Sequence, residues 1–360
     1  MRAQSIASCL GFERPTATKL RKRMRSHLIG VQGFVVVLAL IAGHVTGCSH
    51  ARQSPTEPSG GLSPVVLAYI DELIGIMRAH SLNRLKIDWT NFRTQVIAAG
   101  GSAQTVAQAG PAIQTALNLL GDGHSYYQSV TGFALGPNST RSCASPSVAP
   151  PSLPATIGYV QVGGFSGTPD EATAFANDVQ RRIAAADRDG LAGWIVDLRG
   201  NRGGNMWPMI AGVGPILGEG VAGYFVDPLG AESVWGYRFG VSWNDDELIQ
   251  RVDAPYRLRR ESPRVAVLVD SATASSGEAV VIAFMKRPDT RSFGTSATCG
   301  LSTANQQYKL SDGASLLLTE AVMADRTKVQ YGGPLLPDEW VPDAIDVEPH
   351  AVTWLLSQGR

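Results

Sequence analysis

The chain has 360 residues, 44% of them hydrophobic and 17% charged, enough to bury one large core or two smaller ones. Its net charge of zero hides an asymmetry: residues 1–47 hold seven Lys/Arg and one Glu, so the remainder carries −6. A mildly acidic body argues against nucleic acid as a partner.

The N-terminal region reads as targeting. The basic run Lys19-Leu20-Arg21-Lys22-Arg23-Met24-Arg25 precedes an apolar run from Leu28 to Ala42. That run is short for a membrane span of about 20 residues. Val45-Thr46-Gly47-Cys48 then resembles a bacterial lipobox, where small residues precede a cysteine that is lipidated and becomes the new N-terminus. Residues 1–47 are therefore expected to be a lipoprotein signal peptide, with Met24 an alternative start. Residues 48–62, rich in Pro, Ser and Gly, are expected to form a flexible tether. The expected location is a bacterial cell envelope, anchored to a membrane through lipid on Cys48, with inner or outer membrane left open. Beyond Cys48 only Cys143 and Cys299 remain, and in an oxidising envelope they either pair or stay free.

Residues 63–130 read as a helical subdomain. Ser63-Pro64 is an N-cap followed by proline at the first helical position. Leu67, Ile70, Ile74 and Met77 then recur at helical spacing, as do Ile113, Leu117 and Leu120 before the stop at Gly121; Leu85–Ala99 is a third helical stretch. Such a bundle has to pack against something else. After the stop comes Asp122-Gly123-His124-Ser125, a histidine on a glycine-flanked turn. On pattern alone a surface histidine at a helix end is the commoner explanation. Of the four histidines beyond residue 47, His50 is in the tether, His80 ends a helix and His350 is near the C-terminus, so His124 is the natural candidate for a base. Residues 131–154, rich in Pro, Ser and Gly, read as a linker.

From residue 155 to 350 strands and helices alternate, which makes the class α/β with helices in front. Ile157–Val162 is a strand, Asp170–Ala185 a helix, Gly193–Arg199 a strand and Trp207–Leu217 a helix. The turn Gly200-Asn201-Arg202-Gly203-Gly204-Asn205 lacks the residues of a nucleotide-binding loop, but its N–H groups suit an oxyanion hole. A second strand–turn–helix follows: Val265–Val269, then Ser271-Ala272-Thr273-Ala274-Ser275-Ser276-Gly277, then Glu278–Phe284. Small residues ahead of a helix N-terminus present a nucleophile well. On pattern alone a plain Ser-rich N-cap is the commoner explanation.

Taken in order, Asp197-Leu198-Arg199-Gly200-Asn201-Arg202-Gly203-Gly204, Thr273-Ala274-Ser275-Ser276-Gly277-Glu278 and Gly333-Pro334-Leu335-Leu336-Pro337-Asp338-Glu339-Trp340-Val341 resemble the C-terminal processing (tail-specific) serine peptidases. The resemblance covers roughly residues 63–347. It implies a crotonase-like stack of ββα units carrying the N-terminal helical subdomain. It also implies Ser275 as nucleophile, with Ser276 and either Gly203 or Gly204 as backbone oxyanion donors. The better-known branch of that family has a lysine base 25 residues after the serine, where this chain has Gly300, and no PDZ domain is evident here. Both departures resemble the PDZ-less branch that includes tricorn core and nisin-resistance proteins. In that branch a histidine in an L-G-D-x-H-S context is the base, and Leu120-Gly121-Asp122-Gly123-His124-Ser125 matches it. The resemblance reverses the order of readings at both Ser275 and His124.

The expected chemistry is peptide hydrolysis through a Ser275–His124 dyad, with Asp338, Glu320 and Glu278 all open as the acid that orients the imidazole. Glu278 has an alternative role at its helix N-terminus. Lys286 is a weak rival base beside Arg287, where a solvated helix end explains it better. No metal and no cofactor is called for. The substrate implied is an extended peptide or a protein C-terminal tail, and Ser302–Gln306 either lines the cleft or is a plain loop. A non-catalytic lipoprotein that holds a peptide or apolar ligand on the same fold is the alternative. A different acyl-transfer enzyme is less favoured for want of a nucleotide site. Oligomeric state is not readable.

Overall fold

The computed structural model describes residues 60–138, 143–144 and 151–357. The signal peptide, Cys48 and nearly all of the tether lie outside the described residues.

Three helices come first: α1 (Pro64–His80), α2 (Trp89–Gly100) and α3 (Gly110–Leu120). Ser63 Oγ accepts from Val66 N–H at the start of α1, and Asp88 accepts from Thr90 and Asn91 at the start of α2. Gly121, at φ 66°, closes α3 in the left-handed conformation. Short strands β1 (Tyr126–Gln128) and β2 (Ala134–Leu135) follow.

Then β3 (Ile157–Gln161), α4 (Pro169–Ala186), β4 (Gly193–Asp197) and α5 (Met206–Leu217) alternate as the sequence pattern indicates. The chain next makes an antiparallel meander of β5 (Gly220–Val226), β6 (Glu232–Arg238), β7 (Val241–Asn244) and β8 (Glu247–Arg251). Alternation resumes with β9 (Val265–Val269), α6 (Ser276–Phe284) and β10 (Thr290–Gly294). The chain ends with β11 (Thr303–Lys309), β12 (Ser315–Asp325), β13 (Glu339–Trp340) and α7 (Val347–Leu356).

Two sheets result. One is parallel, in the order β13-β10-β9-β4-β3. Strands β4 and β9 are buried along their whole length, which explains their unbroken apolar sequences. Successive side chains of a strand face opposite ways. Val265, Val267 and Val269 accordingly pack with residues of α4, α5 and α6, whereas Ala266 and Leu268 pack with Val347, Ala351 and Leu355 of α7. The other sheet is antiparallel, in the order β2-β1-β12-β5-β6-β7-β8, with β11 also on β12. The N-terminal helices bury Ile70, Leu73, Ile113 and Leu117 against Tyr127, Leu316 and Leu318 of this sheet. They form one core with it, as their lone amphipathic faces require.

The meander is absent from the sequence reading, which passes from the end of α5 straight to β9. Glycines explain why. A β-carbon on Gly223 would lie 2.3 Å from the Trp235 ring, and one on Gly236 would lie 2.6 Å from the Trp243 ring. Backbone rather than side chain packs beneath these indoles, so the strands lose the apolar alternation that would mark them.

Candidate active site

All strands of the parallel sheet point the same way, so the turns that follow them meet along one edge, the usual place for a site in such a sheet. Because β4 and β9 are neighbours, Asp197 being paired with Leu268, the turn 198–205 lies beside the turn 270–275. Polar contacts stitch the two together. Gly200 N–H donates to the Asp270 carboxylate, Thr273 Oγ1 donates to Leu198 O at 2.9 Å, and Ala274 N–H donates to Asn201 O at 2.9 Å. Asp270 also accepts from the N–H groups of Ala272 and Thr273, which bends its own turn.

Ser275 ends this turn and caps α6. Its φ of 53° and ψ of −118° lie in a region that residues with a β-carbon rarely adopt. Its N–H donates to Glu278 Oε2 at 2.8 Å. A β-carbon on Gly203 would lie 2.8 Å from Ser275 Cβ and 3.0 Å from Ser276 N, so only glycine allows the two turns to touch here. Ser276 Oγ donates to Gly204 O at 2.6 Å.

Of the two glycines expected as oxyanion donors, the structure distinguishes one. Gly203 N–H already donates to Asn201 Oδ1 at 3.0 Å. The N–H groups of Gly204 and Ser276 have no acceptor among the described residues. Ser276 is the first residue of α6, where an N–H has no partner inside the helix.

His124 follows α3, and its side chain and backbone meet β11 of the antiparallel sheet. Gly121 and Gly123, both at positive φ, free the chain from α3. Asp122 Oδ1 then accepts from the N–H groups of His124 and Ser125 at 2.8 and 2.7 Å, which is the physical content of the L-G-D-x-H-S pattern. Asn305 Nδ2 donates to His124 O. The imidazole is half-buried, and its Nδ1 lies 2.7 Å from Thr303 Oγ1.

The three acids named as orienting candidates each have other hydrogen-bond partners. Asp338 accepts from both the N–H and Oγ of Ser292, and Glu320 is hydrogen-bonded to the Tyr308 hydroxyl. Glu278 is fully buried and accepts from four donors: Ser275 N–H, Thr298 Oγ1, Gly300 N–H and Leu301 N–H. Burial nonetheless pushes its carboxyl above the ordinary range, and these hydrogen bonds oppose the shift. Lys286 is exposed just beyond the far end of α6 from Ser275. The nine residues of α6 alone rise about 13 Å between Ser275 and Lys286. Gly300 sits at φ 91°, and a β-carbon there would lie 2.9 Å from the Pro334 ring, so no lysine fits without rearrangement. Cys143 and Cys299 are joined by a disulfide with their Cα atoms 5.1 Å apart.

Asn201 and Asp270 hold the two turns together and Thr303 meets His124, and the sequence reading assigns none of the three a role. Only Thr303 carries a signal, as part of a stretch suited to lining the cleft.

Residues 156–338 match the model of peptidase family S41. The chain belongs to peptidase family S41. The S41 segment contains the turns with Gly203, Gly204, Ser275 and Glu278 as well as Thr303; His124 precedes it. Over 272 residues the chain is 27% identical to the nisin-resistance protein of Lactococcus lactis subsp. lactis, covering 75% of this chain and 81% of that one. It shares its fold with a lipoprotein from Streptococcus agalactiae (TM-score 0.64, 22% identity, 82% of this chain and 98% of the other). It also shares it with the photosystem II D1 C-terminal processing protease (TM-score 0.52, 14% identity, 82% and 98%). The S41 fold expected from the sequence, α/β with N-terminal helices, is the one observed.

Proposed function

We propose that this protein is a serine endopeptidase that works through a Ser275–His124 dyad. In this mechanism Nδ1–H of His124 donates to Thr303 Oγ1 and Nε2 takes the Ser275 proton. Ser275 Oγ attacks a peptide carbonyl, and the N–H groups of Ser276 and Gly204 receive the developing oxyanion. His124 returns the proton to the leaving amine. The observation that carries this reading is the conformation of Ser275. It is a strained, half-exposed serine at a helix N-terminus with glycine pressed against its β-carbon. A plain N-cap serine has no need of that strain.

The substrate is an extended peptide or a protein C-terminal tail. Supporting this are the peptidase family itself and the likeness in fold to the photosystem II D1 C-terminal processing protease. The sequence around Cys48 supports attachment by lipid to an envelope membrane.

The test treats the full chain in detergent with a fluorophosphonate and reads the adduct by mass, alongside Ser275→Ala and His124→Ala. Labelling at Ser275 that requires both residues is expected. Folded wild-type protein that takes no label and cleaves nothing in a peptide pool would overturn the peptidase reading, and would leave the binding lipoprotein in its place.

A further inference from the structure

Residues 298–303 link the two halves of the proposed dyad. Thr298 Oγ1 donates to Glu278 Oε1 at 2.5 Å, Gly300 N–H to the same oxygen at 2.9 Å, and Leu301 N–H to Oε2 at 2.7 Å. That carboxylate is the one that takes the Ser275 N–H. Two residues further on, Thr303 Oγ1 meets His124 Nδ1. Two residues span at most about 7 Å. One short piece of chain therefore sets both the nucleophile's backbone and the base's ring.

Yet residues 298–302 belong to no helix or strand. No regular run of ladder bonds fixes them, and the segment is held by individual contacts. Thr298 exchanges hydrogen bonds with Leu335, and Ser302 Oγ donates to Gly333 O. Cys299 lies between the two residues that donate to Glu278 Oε1, its N–H donates to Thr273 O in the nucleophile turn at 2.9 Å, and its side chain is bonded to Cys143. The next residue, Ala144, accepts from Ser271 Oγ at 2.7 Å, again in the nucleophile turn. A cross-link placed only to hold the fold together has no reason to sit between these donors.

We propose that the Cys143–Cys299 disulfide is a positioning element of the catalytic site: it pins residues 298–303 so that the Glu278–Ser275 and Thr303–His124 contacts hold together. The inference rests on the peptidase reading. Misplacing catalytic groups by about 1 Å can cost roughly a hundredfold in rate. Losing the pin is therefore expected to slow chemistry at Ser275 before it unfolds the protein.

The experiment compares the full chain oxidised, reduced with dithiothreitol, and reoxidised. In the reduction two electrons and two protons pass from the dithiol to the disulfide, which yields the thiols of Cys143 and Cys299 and the cyclic disulfide of the reagent. The readout is the second-order rate of fluorophosphonate labelling at Ser275 across pH 5–9, with thermal melts run in parallel. We expect a fall of about tenfold or more on reduction, below the melting transition. A displaced pH midpoint and full recovery on reoxidation should accompany it. A labelled protein whose rate and pH profile ignore reduction overturns this inference alone. An oxidised protein that takes no label overturns the peptidase reading and this inference with it. Should reduction melt the fold, Thr298→Val decides with the disulfide intact: the same fall supports the pinned segment, and an unchanged rate overturns it.

Discussion

At Ser275 the backbone holds a conformation that costs about 1–3 kcal/mol, and its neighbours have to enforce it. Glu278 is the chief of these, because its carboxylate takes the Ser275 N–H while being buried completely. Its raised pKa has a consequence for stability. As pH climbs past the ordinary carboxylate value, the unfolded chain releases this proton while the fold retains it, so stability falls with rising pH until the folded carboxyl also ionises. Urea titrations at a series of pH values should show this decline in wild type, and it should be absent from Glu278→Gln, whatever that variant loses overall. Parallel profiles would mean that the carboxyl titrates normally. The proposed base has a different support. Thr303 offers His124 a hydroxyl, which fixes the ring without supplying a full negative charge to the imidazolium. Thr303→Val is therefore expected to slow labelling of Ser275 by about tenfold, less than the 10²–10⁴ expected for His124→Ala. Equal losses in the two variants would make Thr303 more than a support.

At the level of elements, the site depends on turns packed more tightly than side chains allow. A β-carbon on Gly277 would lie 2.5 Å from Asn201 O, so the first turn of α6 rests directly on the turn that follows β4. Gly277→Ala should push the two apart, cost about 1–3 kcal/mol by overpacking, and suppress labelling in the protein that still folds. A melt and a labelling rate on the same sample check both. The same crowding bars the lysine base of the better-known branch: Gly300→Lys in a His124→Ala background should melt earlier and regain no reactivity, because position 300 is at positive φ and against Pro334. This scale also shows what was legible in the sequence. The turns with Ser275, Gly203–Gly204 and His124 stand out because small residues interrupt strongly patterned strands and helices. Asn201, Asp270 and Thr303 do not, since their contacts reach across 39, 70 and 179 positions and no local pattern marks a polar side chain whose partner is that far away. The choice of orienting acid stayed open for the same reason. The meander β5–β8 escaped because its glycines let indoles pack on backbone.

Across the described molecule, the proposed site draws on residues far apart in the chain, and two long-range devices hold the segments that carry them. The first is the core that α1–α3 share with β1 and β12, which seats the segment carrying His124 against the antiparallel sheet. The second is the disulfide, which closes a separation of 156 residues. Chain entropy puts the cross-link's stabilisation at about 5 kcal/mol as an upper figure, and measured effects are often smaller. The two devices should fail differently. Leu117 is fully buried in the shared core, far along the chain from the pinned segment. Leu117→Ala should cost about 2–5 kcal/mol and lower the melting temperature. Below that melt its Ser275 labelling rate should fall less than on reduction, since nothing near Thr298–Thr303 has moved. Reduction of the disulfide should lower both melt and rate. In Ser275→Ala, where no label can form, reduction should shift the melt by as much as it does in wild type, because loop entropy acts on the unfolded chain and takes no notice of the nucleophile. Melting scans of the oxidised and reduced forms of both proteins, set beside the labelling rates, therefore separate stability from positioning. If Leu117→Ala slows labelling as strongly as reduction does at matched stability, the site is simply responding to global softness.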